Sequence, residues 1–215
     1  MVKVIVFDLW GTIVENGIFP GPTKHVLKIM RLGMPFSDFI IKFEKCFMTK
    51  EYASLSEAFI EVSKEFNKSL PEFVYGKLVG MWNTNSILAK LFPESVEVLK
   101  ELKKDYTLVL LTNVDKFSYS QVSEKFQLKD YFEKSFPSFE TGMLKSDPKI
   151  FDKICKSLKA KKDDLLVVGD SIESDMNSAE AAGVKAVLVD RRESREYPEK
   201  IKDLRELKKY IENLS

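Results

Sequence analysis

Three short apolar runs, each ending on a polar group, constrain the fold more than anything else in this chain. Residues 2–7 lead into Asp8, residues 106–111 into Thr112-Asn113, and residues 165–168 into Gly169-Asp170. Such β-branched and aliphatic runs, without polar alternation, read as strands buried on both faces, as in a parallel sheet. Parallel strands need long crossovers, usually helical, and the stretches between the runs are long enough. Ligands bind outside the carboxyl ends of the strands in such a sheet. If the three strands are neighbours, Asp8, Thr112, Asn113 and Asp170 meet at one edge. Taken singly, each has a structural reading: Asp8 as an acid bonding its own turn, Thr112-Asn113 as turn formers, Asp170-Ser171 as a helix cap.

The crossovers divide unevenly. After Thr12 comes a loop, residues 13–22, with Gly17, Pro20, Gly21 and Pro22. Four amphipathic segments follow with no strand pattern between them. Val26, Leu27 and Met30 mark the first; Phe36, Phe39, Ile40, Phe43 and Phe47, spaced by three and four, mark the second. Ser54, with Glu57 three residues on, gives a capping-box start to the third. Leu70-Pro71 opens the fourth, which carries Phe73, Val74, Leu78, Met81 and Trp82. This predicts a helical subdomain over residues 15–88, its phenylalanines mostly core, inserted in a sheet domain made of residues 1–14 and 89–215.

From residue 92 helix and strand alternate. Val96, Leu99 and Leu102 line a helix before the 106–111 strand, and Val122, Phe126 and Leu128 lie in the helix after it. A weaker strand is expected over 134–139, a helix after Pro148, and another over 176–182 ended by Gly183. A last strand over 184–189 ends at Asp190, and a helix over 198–214 closes the chain. The fold class is α/β, a parallel sheet with helices on both faces.

Composition narrows function by exclusion. Lys+Arg number 34 against Asp+Glu 33, so there is no basic excess of the kind nucleic-acid or membrane-surface binders show. Cys46 and Cys155 are too far apart for a zinc spacing or a disulfide framework and are expected as buried or half-buried thiols. No apolar stretch approaches the ~18 residues of a membrane span, and residues 2–7 enter a strand without a leader-like pattern. These features predict a soluble cytoplasmic protein. His25 is the one histidine and is expected on a helix surface, so carboxylates and lysines must carry the chemistry.

Those groups suit phosphoryl transfer. Two carboxylates from different strands, Asp8 and Asp170, can hold Mg²⁺, which prefers oxygen ligands. An aspartate can attack phosphorus to form an aspartyl-phosphate. Lys145, in a connection able to reach the same edge, and Thr112 would stabilise charge on the phosphoryl oxygens. Asp175 completes a second acid pair with Asp170.

The chain resembles the haloacid dehalogenase-like hydrolase superfamily over essentially its whole length. Asp8-Leu9-Trp10-Gly11-Thr12 is similar to the first motif and Leu110-Leu111-Thr112-Asn113 to the second. Residues 145–151, from Lys145, resemble the third, and Gly169-Asp170-Ser171-Ile172-Glu173-Ser174-Asp175 the fourth. The resemblance implies a Rossmann-like core with a helical cap inserted after the first motif, acting on a small phosphorylated substrate. It makes Asp8 the nucleophile, and Asp8, Asp170 and the Trp10 carbonyl the Mg²⁺ ligands. Thr112 and the Asn113 amide would bind phosphoryl oxygens, and Lys145 would be oriented by Asp175.

One residue departs from the pattern. Phosphatases of this family usually carry a second aspartate two positions after the nucleophile, where this chain has Trp10. Its indole N–H donates a hydrogen bond but has no titratable proton. The resemblance therefore leaves four readings: a phosphatase that takes its acid from elsewhere, Glu15 being one candidate; a metal-independent 2-haloacid dehalogenase with Asp8 attacking carbon; a phosphonate-cleaving enzyme with a Schiff-base lysine among Lys24, Lys28, Lys42 and Lys45; and a catalytically weak binding protein.

Overall fold

The computed structural model describes residues 1–214; Ser215, the last residue of the expected sheet domain, lies outside them. Among these residues six strands form one parallel sheet: β1 (Val4–Phe7), β4 (Thr107–Thr112), β5 (Lys134–Pro137), β6 (Leu165–Gly169), β7 (Lys185–Val189) and β8 (Lys200–Ile201). The order is β5-β4-β1-β6-β7-β8. β1 is thus central, with Phe7 level with Leu110 of β4 and Val168 of β6. All four β1 residues are buried. Ile5 and Phe7 belong to one apolar layer with Leu108, Leu110 and Leu166, while Val4 and Val6 belong to the other with Val109, Val167 and Ile154. An alternating strand buried on both sides explains why the sequence shows an unbroken apolar run.

Between β1 and the remaining sheet lies the helical insertion: α1 (Pro22–Ile29), α2 (Phe36–Phe47), α3 (Leu55–Glu65) and α4 (Glu72–Leu88). It has its own core, built on Phe39, Phe43, Phe47, Phe59, Leu78 and Trp82. Phe43 and Phe47 stack at 4.9 Å, and the Trp82 ring lies edge-on to Phe47 at 4.9 Å. Ser54 accepts from the Glu57 N–H at the start of α3, but the Glu57 carboxylate returns to the Ala53 N–H rather than to Ser54.

A two-stranded antiparallel ribbon, β2 (Val14–Glu15) with β3 (Lys90–Leu91), joins the two ends of the insertion. Residues 13–22 are expected as loop and residues 90–91 carry no strand pattern, because two-residue strands leave no periodicity. Two more corrections concern ends. The weak strand stops at Pro137, and Ser138–Thr141 (α7) is helical. The expected terminal helix over 198–214 is instead β8, a 3₁₀ turn and α10 (Leu207–Asn213). Phe73, expected in the helical core, is 65% exposed under the Lys77 ammonium. His25 is half-buried rather than on the surface, its Nε2 buried without a partner.

The helices α5 (Ser95–Leu102), α6 (Lys116–Lys125), α8 (Ile150–Leu158) and α9 (Asn177–Ala182) complete the sheet domain. Val98 rather than Val96 is the buried valine of α5. Leu128 lies in a separate turn beyond α6. Among the described residues no helix is long and apolar enough to cross a membrane.

Candidate active site

The carboxyl ends of β1, β4 and β6 bring the expected residues to one edge. Asp8 follows the last β1 residue, Thr112 ends β4, and Asp170 follows β6. Asp8 is 4% exposed, and its Oδ2 accepts from the Thr12 hydroxyl at 3.1 Å. Its Oδ1 lies 2.5 Å from Lys145 Nζ, and Asp175 Oδ1 lies 2.7 Å from the same ammonium. Asp175 Oδ2 also accepts from the Ser171 N–H at 3.1 Å, within the π-helical turn Ile172–Met176 that joins β6 to α9. Lys145 is 5% exposed; its carbonyl accepts from Ser178 and its N–H donates to Asn113 Oδ1. An ammonium brought in by a connection is thereby held by two carboxylates, and its backbone by Asn113 and Ser178.

Carboxylate oxygens of Asp8, Asp170 and Asp175 lie within 4.8 Å of one another. The Lys145 ammonium pairs with two of these carboxylates, Asp8 and Asp175, while Asp170 is eased by the charges of Lys145 and Arg195 without an ion pair of its own among the described residues. Burial, followed by the charges of Asp175 and Asp170, pushes Asp8 up to about 7 against the pull of Lys145. Asp170 rises to about 6 through burial and Asp175. Lys145, which burial alone would pull down, is held above its ordinary value by Asp175 and Asp8. A hard divalent cation would remove that excess of negative charge, and the donors are all oxygens, as Mg²⁺ prefers. Two glycines pack directly on these carboxylates: at Gly11, where φ is +85°, a Cβ would lie 2.2 Å from Asp170 Oδ2, and at Gly169 a Cβ would lie 2.3 Å from Asp175 Oδ2. Gly11→Ala should therefore displace Asp170, destabilise the fold by ~1–3 kcal/mol through the left-handed φ, and, if Asp170 holds Mg²⁺ as the resemblance implies, weaken that binding about 10-fold or more. Thermal melting and calorimetric titration measure the two effects; unchanged Mg²⁺ affinity would contradict the implied metal-binding role of Asp170.

Beside this cluster, Thr112 Oγ1 is buried without a hydrogen-bond partner. A buried hydroxyl left unsatisfied is unfavourable by ~1–3 kcal/mol, which a ligand oxygen would relieve. Asn113 is placed differently from the sequence reading: Oδ1 accepts from the Lys145 N–H, and Nδ2 donates to Glu44 Oε2 at 2.8 Å. Glu44, on α2, escaped the sequence reading altogether. Its carboxyl is held above the ordinary range by burial and, more weakly, by Asp175, against Lys145 and the Asn113 bond.

Trp10 and Glu44 line a common cavity of about 170 Å³ with Asn16, Trp82, Asn85 and Asn113. Trp82 fixes the floor where the insertion meets α6: its Nε1 donates to Asp115 Oδ2 at 2.8 Å and Ser118 Oγ at 3.0 Å, while Asp115 Oδ1 caps α6. Glu15 is exposed and lines a different cavity, with Gly11, Asp170 and Arg195. Lys24, Lys28, Lys42 and Lys45 are all exposed, and none lines the Trp10–Glu44 cavity. Cys46 and Cys155 are free, half-buried thiols.

A buried acid–lysine cluster at the carboxyl edge of a parallel sheet, overhung by a helical insertion, defines a class of hydrolase. The model of the haloacid dehalogenase-like hydrolases matches residues 2–183, and the chain belongs to that family. It is 28% identical to glyceraldehyde 3-phosphate phosphatase of Pyrococcus furiosus, over 86% of this chain and 80% of that one. It is 29% identical to D-ribitol-5-phosphate phosphatase of Bacteroides thetaiotaomicron, over 79% and 84% respectively. In three dimensions it is similar to L-2-haloacid dehalogenase of Xanthobacter autotrophicus, with a TM-score of 0.70 at 14% identity and both chains covered in full. That last likeness shows the fold alone.

Proposed function

We propose that this hydrolase is a Mg²⁺-dependent phosphatase that acts on a small phosphorylated metabolite through an aspartyl-phosphate at Asp8. The observation that carries this reading is the crowding of the Asp8, Asp170 and Asp175 carboxylates within 4.8 Å of one another, with a buried ammonium paired to only two of them. A dehalogenase that works without metal has no use for such an excess of buried negative charge. The phosphatase names of the P. furiosus and B. thetaiotaomicron relatives support the same choice. Asp8, Asp170 and the Trp10 carbonyl are the proposed metal ligands. Mg²⁺ there would offset the repulsion between the nucleophile and an anionic phosphoryl group.

The chain's own groups divide the remaining work. Asp8 attacks phosphorus, splitting the hydrolysis into two displacements. Lys145, held by Asp175, sets its charge against the transferring group, and Thr112 Oγ1 donates to a phosphoryl oxygen. Asn113 can do so only after its amide leaves Glu44. Trp10 stands where family phosphatases usually have a general acid, and the residue supplying that proton must lie elsewhere. Residues 15–88 act as a cap that encloses the cavity and selects the substrate. Phosphorylated metabolites as substrates make the cytoplasm the proposed location.

The expected result is turnover of an aryl phosphate with Mg²⁺ and its loss in excess chelator, measured by phosphate release. Equal rates in chelator would remove the metal from the reading. Halide release from a 2-haloacid without metal would replace it with the dehalogenase. No turnover across a broad panel, with tight binding to a partner protein, would indicate a binding function.

A further inference from the structure

We infer that Glu44, carried on α2 of the helical insertion, is the general acid and base of the reaction, replacing the aspartate that Trp10 displaces. The inference rests on the phosphatase reading above and goes beyond it by naming the proton donor.

Geometry singles out this residue. Glu44 and Trp10 line one cavity, so a carboxyl is available beside the position where the family's own acid is missing. Its neighbours on α2, Lys42 and Lys45, are exposed, and Phe43 is buried in the helical core. Glu44 alone of these turns toward the sheet domain. A two-bond chain links it to the catalytic cluster: its Oε2 accepts from Asn113 Nδ2, and Asn113 Oδ1 accepts from the Lys145 N–H, both at 2.8 Å. Glu15 is exposed, and the cavity it lines reaches Gly11 and Asp170 but neither Trp10 nor Asn113.

A structural role does not account for the residue type. Glutamine would accept the Asn113 bond equally well, with no charge to bury near Asp175. Burial and, more weakly, Asp175 hold the carboxyl above its ordinary value against Lys145 and the Asn113 bond, a direction that favours its neutral, proton-donating form. The same bond keeps Asn113 occupied when no anion is present. A phosphoryl group that takes the Asn113 amide would release Glu44 into the cavity it shares with Trp10.

The two displacements balance with this one group. As Asp8 forms its bond to phosphorus, the bond from phosphorus to the ester oxygen breaks. Its electron pair goes to that oxygen, and neutral Glu44 gives it a proton, leaving an alcohol, an aspartyl-phosphate and the Glu44 carboxylate. The carboxylate then takes a proton from water as the water oxygen attacks phosphorus. The phosphorus–Asp8 bond breaks, returning the Asp8 carboxylate, inorganic phosphate and neutral Glu44.

Glu44→Gln, which preserves size and the acceptor for Asn113, tests this on two substrates with Mg²⁺ present. With an alkyl phosphate, whose alkoxide needs a proton to leave, kcat should fall by about 10²- to 10⁴-fold with little change in KM. With p-nitrophenyl phosphate, whose leaving group needs none, the first turnover should keep its wild-type rate. A burst of one nitrophenol per enzyme should then give way to slow turnover, with the phosphoryl-enzyme visible as an added mass on the intact protein. Glu44→Asp should recover part of the alkyl-ester rate, and its ratio of alkyl to aryl rates decides the matter if the Gln variant melts abnormally. Equal losses on both substrates in the first turnover, or undiminished alkyl-ester hydrolysis, would overturn the inference. A wild-type protein inert toward both esters would instead overturn the phosphatase reading, and this inference with it.

Discussion

Asp8→Asn will abolish turnover and leave the fold intact. On the proposed mechanism the substitution removes the attacking oxygen, and loss of a nucleophile lowers kcat by roughly 10⁴- to 10⁶-fold. The stability result runs the other way. Asp8 titrates at about 7 in the folded protein, against about 3.9 in an unfolded chain. Between those values the native state holds a proton that the unfolded chain has released. Stability without a divalent cation therefore falls as pH rises from about 4 to about 7. Asparagine cannot titrate, so this contribution to the slope disappears. Melting curves in chelator should show wild type losing ground to Asp8→Asn as pH rises toward about 8. A variant that still turns over, or that melts below wild type throughout that range, would contradict the assignment of Asp8.

The second large effect is expected at Lys145. Lys145→Met keeps most of the side-chain volume and deletes the ammonium that touches both Asp8 and Asp175. Breaking a buried ion pair from one side typically destabilises by about 3–5 kcal/mol. At about 2–4 °C per kcal/mol for a chain of this size, the melting temperature should drop by roughly 6–20 °C in chelator at neutral pH. Lys145 is held above its usual value, so its contribution is complete below about pH 10 and is lost only above that. The deficit should instead shrink in acid, as Asp8 and Asp170, both pushed up by burial, take up protons. Added Mg²⁺ should restore part of the lost stability through the same carboxylates. A melting temperature within about 2 °C of wild type would show that the cluster does not depend on this ammonium.

The central strands and their ends were legible because local sequence determines them. The runs that became β1, β4 and β6 are buried on both faces, and a residue that follows a parallel strand has little choice about which edge it meets. The amphipathic spacing of α2 and the Ser54 cap of α3 were legible for the same reason. β2, β3 and β8 were not: each has two residues, and each is defined by a partner distant in sequence. Phe73 shows the limit of counting apolar positions, since a ring on a helix can as easily lie under a lysine in solvent. Glu44 was hidden more deeply. Its bond to Asn113 spans 69 residues, and a periodicity reading of α2 marks only the apolar face. A polar residue between two lysines looks like solvent-facing surface until the insertion is set against the sheet. The missing acid at position 10 was the sequence's one indication that such a residue should be sought.

The placement of the indoles has a spectroscopic consequence. The chain contains two tryptophans, and both Trp10 and Trp82 line the cavity beside Glu44 and Asn113. Trp10 sits two residues from Asp8, while Trp82 ties the aromatic core of the insertion to Asp115 and Ser118. No third indole elsewhere in the chain dilutes their emission. The protein's intrinsic fluorescence thus reports from the two walls of its own cavity, one on each domain, without any label.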